Sequence, residues 1–355
     1  MSGSAEANGR VAICVNPMSG RDVRRLAGRA SNLTHESKRD SVARIAAGAD
    51  AAGATELFVA REPYGIGARA LELMPLAAEV QVVDIEVRND PSDTERSVKA
   101  YLDAGISTFV TLGGDGTNRT IVRALKRALG SEQAGVTLIP LSTGTNNVFP
   151  SLIEPTVAGM AAGLAAQGLL NEPSLRRCAK VLHVRGTDGH GRRVEDVGLI
   201  DAVLLHPDHP GNLLPFEPDK ISRVLLTRAE ATAMGMSPIG GLLEEVLEAD
   251  DAGLLVELGP GGRTFLAPVS PGLFKPVSVR HIERIAFDVP VLFPGPGVLA
   301  LDGDRDHRLP DQGGLHVTLR RDGPSVLDVA AAMRWAVATG IISARLQATP
   351  ELSSL

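Results

Sequence analysis

Residues 106–129 read ISTFVTLGGDGTNRTIVRALKRAL, and three textures follow one another within them. Ile106, Phe109, Val110 and Leu112, with two threonines among them, form a β-branched and aromatic run, the composition of a buried strand. Gly113, Gly114, Asp115, Gly116 and Thr117 interrupt it. Beyond them Ile121, Val122, Leu125, Ala128 and Leu129 recur at helical spacing until Gly130 stops the helix. A strand, a glycine-rich turn and a helix in that order bring backbone N–H groups and the positive end of a helix to one point, which suits a phosphate. A carboxylate repels bare phosphate, so Asp115 points to a metal ion bridging it to the phosphate, or to a hydroxyl proton that it handles. A plain tight turn, with Asp115 capping the helix, is the alternative at this stage.

Working outward, the first half of the chain alternates. Val11–Val15 reads as a strand that runs into Asn16-Pro17-Met18-Ser19-Gly20. The polar SNLTHESK of residues 31–38 reads as a loop, and Val42, Ile45, Ala46, Ala49 and Ala52 as a helix closed by Gly53. A second strand (Glu56–Ala60), a second helix (Ala68–Leu76), a third strand (Val80–Val87) and a helix opened by Asp90-Pro91-Ser92-Asp93 lead to the central stretch. After it Val136–Leu141 is another strand, ending in Ser142-Thr143-Gly144-Thr145-Asn146-Asn147. Strands alternating with helices of this length mean βαβ units, and so a parallel sheet covered on both faces. Three strands thus end in polar, glycine-bearing turns: NPMSG, GGDGT and STGTNN. Parallel strands carry their carboxyl ends on one side of the sheet, where the three turns converge, and together they favour a phosphate-rich ligand over an ordinary turn. Gly-x-x-x-x-Gly-Lys-Ser/Thr is absent, which excludes a P-loop nucleotidase. No Gly-x-Gly-x-x-Gly follows a strand, which argues against a dinucleotide dehydrogenase.

From Ser151 the texture changes. Val157–Leu170, rich in Ala and Gly, predicts a helix between the halves. VLHVR, LIDAVLL, LLVEL, TFLAPV, IAFDV and LHVTL, spread over residues 180–319 among Gly and Pro, predict an antiparallel sheet or sandwich with a helical insertion over Asp219–Glu248. Val326–Ile342 predicts a terminal helix that returns to the first half, with Trp335 in its core-facing part. The expected organisation is an α/β domain over 1–150 with a Rossmann-like parallel sheet, a β-rich domain over 151–322, and a C-terminal helix within 323–355. In the second half Ala300-Leu301-Asp302-Gly303-Asp304 leaves an apolar run; it reads equally as a hairpin turn and as a pair of acids able to hold a metal or act as a base. His206-Pro207-Asp208-His209 reads as a surface loop, since the proline prevents a helix from presenting both imidazoles to a zinc ion.

Composition bounds the classes. A formal net charge of -6 argues against a general nucleic-acid or anionic-membrane binder. Two cysteines, Cys14 and Cys178, give no disulfide framework. The polar MSGSAEANGR start lacks the apolar core of a signal peptide, and no apolar run approaches the length of a membrane span, so a cytoplasmic protein is expected.

The combination of VNPMSGRDVRRLAGRAS, LGGDGTNRTIVRAL, PLSTGTNNVFP and the later Asp-Gly-Asp resembles the superfamily of NAD kinases and diacylglycerol-type lipid kinases, and within it the ATP-NAD kinase-like family that includes acetoin catabolism protein X. The resemblance covers most of the chain. It implies an ATP- and Mg2+-dependent kinase that phosphorylates a hydroxyl, with NAD as the acceptor or, alternatively, a lipid or another small alcohol; a nucleotide-binding regulator without turnover is the reading from a different class. It further implies that Gly113, Gly114, Gly116 and Thr117 cradle the ATP phosphates, helped by Asn16, Ser19 and Gly20 and by Thr145, Asn146 and Asn147. Asp115 would activate the acceptor hydroxyl or hold Mg2+, with Asp302 a second metal ligand and Asp304 a second base, one methylene shorter than the glutamate of the lipid-kinase relatives. A homo-oligomer is expected by the same analogy. The Thr-Pro-x-Gly-Ser-Thr-Ala-Tyr segment of NAD kinases is missing, PVSPGLFKPVSV at 268–279 being its nearest counterpart, and no Asn-Glu pair is placed to grip an NAD ribose.

Overall fold

Alternating apolar runs and amphipathic stretches place every other element of the first half in a sheet. The computed structural model describes residues 7–19, 33–143, 147–211 and 217–343. Its first half runs β1 (Arg10–Val15), α1 (His35–Ala51), β2 (Glu56–Ala60), α2 (Ile66–Leu71), β3 (Glu79–Val83), α3 (Pro91–Asp103), β4 (Thr108–Gly113), α4 (Asp115–Leu129), β5 (Thr137–Ser142) and α5 (Pro155–Ala166). The chain continues through β6 (Arg176–Cys178), β7 (Val181–Thr187), β8 (Arg193–Gly198), β9 (Asp201–Leu205), β10 (Ile221–Leu226), α6 (Ser237–Gly241), β11 (Ala252–Ser270) and β12 (Leu273–Ala286). It ends with β13 (Pro290–Pro294), β14 (Gly297–Leu301), β15 (Asp304–Leu309), β16 (Gly314–Arg320), β17 (Ser325–Leu327) and α7 (Val329–Ala338).

The first sheet has the order β3-β2-β1-β4-β5-β17-β6, parallel except for β6 at its edge. Its order reverses between β1 and β4, and in open parallel sheets the crevice beyond the strand ends at such a reversal is where ligands bind. Register brings the strand ends level there: Val15 lies opposite Leu112, and Gly113 opposite Ser142. The C-terminal β-rich region is two antiparallel sheets, β12-β11-β10-β9-β14-β15 and β13-β16-β7-β8. Leu182, Val184, Leu204, Leu225, Leu299, Phe293 and Leu319 are buried together in its core. The chain then returns to the first sheet through β17, and Ala332 and Ala336 of α7 join the core that α1 and α5 cover. No helix among the described residues is long and apolar enough to cross a membrane.

Four local readings are corrected, the first being that Val326 and Leu327, read as the start of the terminal helix, belong to β17. Asp219–Glu248 is not a helix: Val224, Leu225 and Leu226 pair with β9 on one side and β11 on the other, and only Ser237–Gly241 is α-helical. A central strand buried on both faces shows no two-residue period, so its pattern imitates a buried helix. LLVEL and TFLAPV are one strand, bulged between Leu258 and Arg263. SNLTHESK already enters α1, because Thr34 Oγ1 accepts the Ser37 N–H at 3.1 Å and starts the helix at His35.

The glycines of α5 have a packing reason. A Cβ on Gly159 would stand 2.1 Å from the Ile45 carbonyl oxygen of α1, one on Gly48 2.1 Å from Thr156 O, and one on Gly163 2.5 Å from Ala49 O. The two helices therefore pack backbone against backbone, and any side chain there forces them apart. Gly159→Ala is expected to lose about 1–3 kcal/mol of unfolding free energy in urea titrations, whereas Gly135→Ala, with open space around it, is expected to stay within about 0.5 kcal/mol of the parent.

Candidate active site

The break in the central stretch is a single residue. β4 runs to Gly113 and α4 begins at Asp115, with Gly114 as the extended N-cap. A Cβ on Gly113 would stand 2.4 Å from the Thr117 side chain and one on Gly114 2.7 Å from Asn147 Oδ1, so both positions exclude larger residues. Asp115 in the first turn and Lys126 and Arg127 in the last complement the helix dipole.

Hydrogen bonds join the predicted loops. Asn16 Nδ2 donates to Thr117 Oγ1 at 2.8 Å, tying NPMS to GGDGT. Thr143 Oγ1 donates to Ser19 Oγ at 3.0 Å, which brings in the turn after β5. Asn147 Nδ2 donates to Ser142 Oγ at 2.9 Å. Gly20, Thr145 and Asn146 lie outside the described residues. The NPMS loop is held from below by a residue with no sequence signal: the buried Lys38 ammonium donates to Asn16 O, Pro17 O and Ser19 O at 2.9, 2.7 and 2.7 Å. Three carbonyls satisfy its three N–H donors.

Asp115 is gripped by two amides, Val148 N–H at 3.1 Å and Phe149 N–H at 2.8 Å. Burial pushes its carboxyl up to about 7; the Phe149 and Val148 amides and the Arg228 guanidinium pull it down, and the neighbouring Asp302 adds to the rise. Asp302 and Gly303 form the β14–β15 turn with φ of 51° and 92°, which fits the hairpin reading. The Asp302 carboxylate accepts Leu199 N–H, Ile200 N–H and Asp201 N–H at 2.8, 2.7 and 3.1 Å, and burial, opposed by Arg119, lifts it to about 6. Asp304 is the more open acid of the turn, its side chain 45% exposed and its Oδ2 3.8 Å from Arg119; a Cβ on Gly116 would stand 3.5 Å from that same oxygen. Thus Asp115, Asp302 and Asp304, read from segments nearly two hundred residues apart, face one cleft.

That cleft holds about 460 Å³ between the halves, a size within the range of small-ligand sites. The three loops form one wall. Ile200, Asp201, Met234, Met236, Val269 and Leu273 belong to the other. Val269 and Leu273 flank the tip of the β11–β12 hairpin, so the PVSPGLFKPVSV segment borders the cleft. Cys14 also reaches it, but burial pushes its thiol up to about 12, which leaves it a poor nucleophile.

Two further arginines matter: Arg119 escaped the sequence reading, and Arg228 reads there only as a residue available on the expected helical insertion. Arg119, only 3% exposed, donates to Val197 O at 2.7 Å and Leu301 O at 3.2 Å, and pairs with Asp196 at 2.7 Å and Asp306 at 2.8 Å. Asp196, Asp306 and His307 could converge on a metal ion, but the Arg119 guanidinium already supplies a cation there. Arg228 donates to Val148 O. Their only sequence signals are position: Arg119 follows GGDGTN directly, and Arg228 follows β10.

A divalent ion fits the acid set. Asp115 and Asp302 each keep an oxygen, Oδ2, that accepts one N–H and retains a lone pair, and a hard cation takes such carboxylate oxygens.

Comparison with known proteins agrees with the fold. Residues 180–322 match the acetoin catabolism protein X C-terminal domain, and residues 65–172 match the diacylglycerol kinase catalytic domain. The chain is 33% identical over 346 residues to acetoin catabolism protein X of Cupriavidus necator, an alignment that covers 94% of each. Among solved structures, yeast NADH kinase complexed with NADH is similar with a TM-score of 0.52 at 13% identity, over 90% of this chain and 82% of that one. At that identity the likeness carries the fold.

The raised carboxyls have a sign that can be measured. An unfolded aspartate ionises near pH 4, so between about 4 and 7 the folded chain keeps protons that the unfolded chain has released, and stability falls as pH rises through that window. Asp115→Asn removes one such group. Chemical denaturation is expected to find this variant more stable than the parent at pH 8, by roughly 1–2 kcal/mol, with the difference shrinking as pH falls from about 7 toward 4.

Proposed function

The chain belongs to the acetoin catabolism protein X family, and from that premise we propose that it is an ATP- and Mg2+-dependent kinase of the NAD kinase and diacylglycerol kinase superfamily, acting on a hydroxyl. The observation that carries this reading is the meeting of three phosphate-type loops with Asp115, Asp302 and Asp304 at the point where the strand order reverses. On this reading the N–H groups at the start of α4, around Gly114, Gly116 and Thr117, bind the triphosphate together with Asn16, Ser19, Asn147 and the neighbouring Gly20, Thr145 and Asn146. The Thr117 hydroxyl accepts from Asn16, which leaves its O–H to donate to a phosphate oxygen beside its backbone N–H. Asp115 and Asp302 would hold Mg2+, which neutralises the charge that builds on the transferring group.

Asp304, half-exposed at the mouth of the cleft, then has the role of base. The acceptor oxygen bonds to the γ-phosphorus as the bond from that phosphorus to the β–γ bridging oxygen breaks. The hydroxyl proton passes to the Asp304 carboxylate, and ADP leaves. Arg119 stands beside Asp304, its Nη1 3.8 Å from Asp304 Oδ2. Asp115, clamped by the two amides, orients the hydroxyl or the ion.

NAD is the acceptor that the family resemblance implies. A smaller alcohol is a second reading, favoured by the apolar wall that Met234, Met236, Val269 and Leu273 give the cleft. The name of the relative makes acetoin a natural member of any acceptor panel. A coupled assay for NADP formation from NAD, ATP and Mg2+ is expected to show turnover in the parent and a loss of about 10³-fold in Asp115→Asn, with ATP binding by calorimetry preserved. ATP binding without NADP, followed by ADP release on addition of acetoin or another alcohol, selects the second acceptor. Unchanged turnover in Asp115→Asn removes that residue from the chemistry.

A further inference from the structure

The segment from Thr227 to Ser237, between β10 and α6, is anchored at both ends. The Thr227 hydroxyl donates to Leu199 O at 2.7 Å, while the buried Lys180 ammonium donates to Thr227 O, Leu247 O and Ala252 O at 3.0, 2.8 and 2.8 Å. At the far end Ser237 Oγ, fully buried, donates to Arg228 O at 2.9 Å and accepts Glu230 N–H at 3.0 Å. Between these anchors Met234, Gly235 and Met236 form part of the cleft wall. The segment is therefore a stiff element of the β-rich region that borders the ligand space.

Its Arg228 side chain reaches back to the N-terminal half. Nη2 donates to Val148 O, and Nε lies 3.6 Å from Glu230 and 3.9 Å from Glu248, which balance its charge. The Val148 carbonyl belongs to the same peptide group as the Phe149 N–H, and that N–H donates to Asp115 Oδ1 at 2.8 Å. A trans peptide is planar and points its C=O and N–H in opposite directions. A cation fixed on the oxygen therefore aims the hydrogen, and it polarises the group so that the N–H becomes the stronger donor.

We propose that Arg228 is a positioning residue for Asp115, acting through the Val148–Phe149 peptide and so tying the direction of the carboxylate to the Met234–Met236 wall. The proposal rests on the kinase reading only for its catalytic consequence; the geometric claim stands without it. A ligand seated against Met234 and Met236 would press on the segment that holds the clamp, and a cleft without that segment in place would leave Asp115 misaimed.

Two variants of the full chain test it. Arg228→Gln removes the charge, and Arg228→Lys keeps a cation to balance Glu230 and Glu248, which guards against a simple failure to fold. Hydrogen exchange without any ligand is expected to quicken at the Val148 and Phe149 amides by about tenfold in Arg228→Gln and less in Arg228→Lys. With ATP and whichever acceptor the parent uses, kcat is expected to fall about 10–100-fold in Arg228→Gln, the KM for ATP staying within about twofold. Millimolar guanidinium ion is expected to restore part of the loss, as it cannot in Asp115→Asn. Unchanged exchange at those amides overturns the proposal, as does a parent-like kcat in both variants. A parent that transfers phosphate to no acceptor overturns the kinase reading instead, and the exchange result then decides the role of Arg228 alone.

Discussion

One guanidinium fixes the distance across the cleft. Arg119 stands one turn along α4 from Asp115, and its Nη1 donates to the carbonyl of Leu301, the residue before Asp302. The same group takes Val197 O from β8 and the Asp196 carboxylate. Burying a charge this deeply is costly, and it is tolerated only where several well-aimed acceptors replace the lost water. Arginine suits the position because its planar fork addresses two carbonyls and two carboxylates at once, which a lysine could not do. Around it Val122 of α4 packs with Val181, Val197, Leu199 and Ile200. The helix that starts at the phosphate loop is thus locked to the turn that carries Asp302 and Asp304, although those residues are remote in sequence.

This lock explains why acids can be held where they are unfavourable. Asp115 and Asp302 face each other's field, and amide N–H groups hold both. Amides stabilise a carboxylate without cancelling its charge, so both carboxyls stay raised. Rigid surroundings are needed to keep such a pair from relaxing into solvent. On the kinase reading, such a site sacrifices some stability at neutral pH for a place that would attract a divalent ion.

Much of this was legible in the sequence, and the reasons differ by element. The parallel half could be read because its strands are apolar runs and its helices carry a 3.6-residue stripe, as in Ile121, Val122 and Leu125. The loops could be read because Gly113, Gly114 and the Asp302-Gly303 pair meet backbone needs that few residues satisfy. The stretch Asp219–Glu248 misled because β10 is covered on both sides and loses its alternation. The buried cations were not legible: Lys38 lies in a polar run that looks solvated, and Arg119 and Arg228 each look like one more surface charge. Burial of a long polar side chain leaves no period, since it depends on carbonyls that only the folded chain gathers.

Lys38, Lys180, Arg119 and Arg228 all direct their donors to backbone carbonyls. Each collects the oxygens of loops that would otherwise fold independently: Lys38 the turn after β1, Arg119 the ends of β8 and β14, Arg228 the peptide before Phe149, Lys180 the start of the segment that ends at Ser237. Lysine gathers three carbonyls with a compact charge, and arginine spans longer gaps with its fork. The donors that Lys38, Lys180 and Arg119 commit in this way are not available to a phosphate. On the kinase reading, the charge of a triphosphate in this cleft therefore falls to the N–H groups at the start of α4 and to a divalent ion between Asp115 and Asp302. On that reading the α4 N–H groups hold the nucleotide, and the acids serve the transfer through the ion, where without it they would only repel.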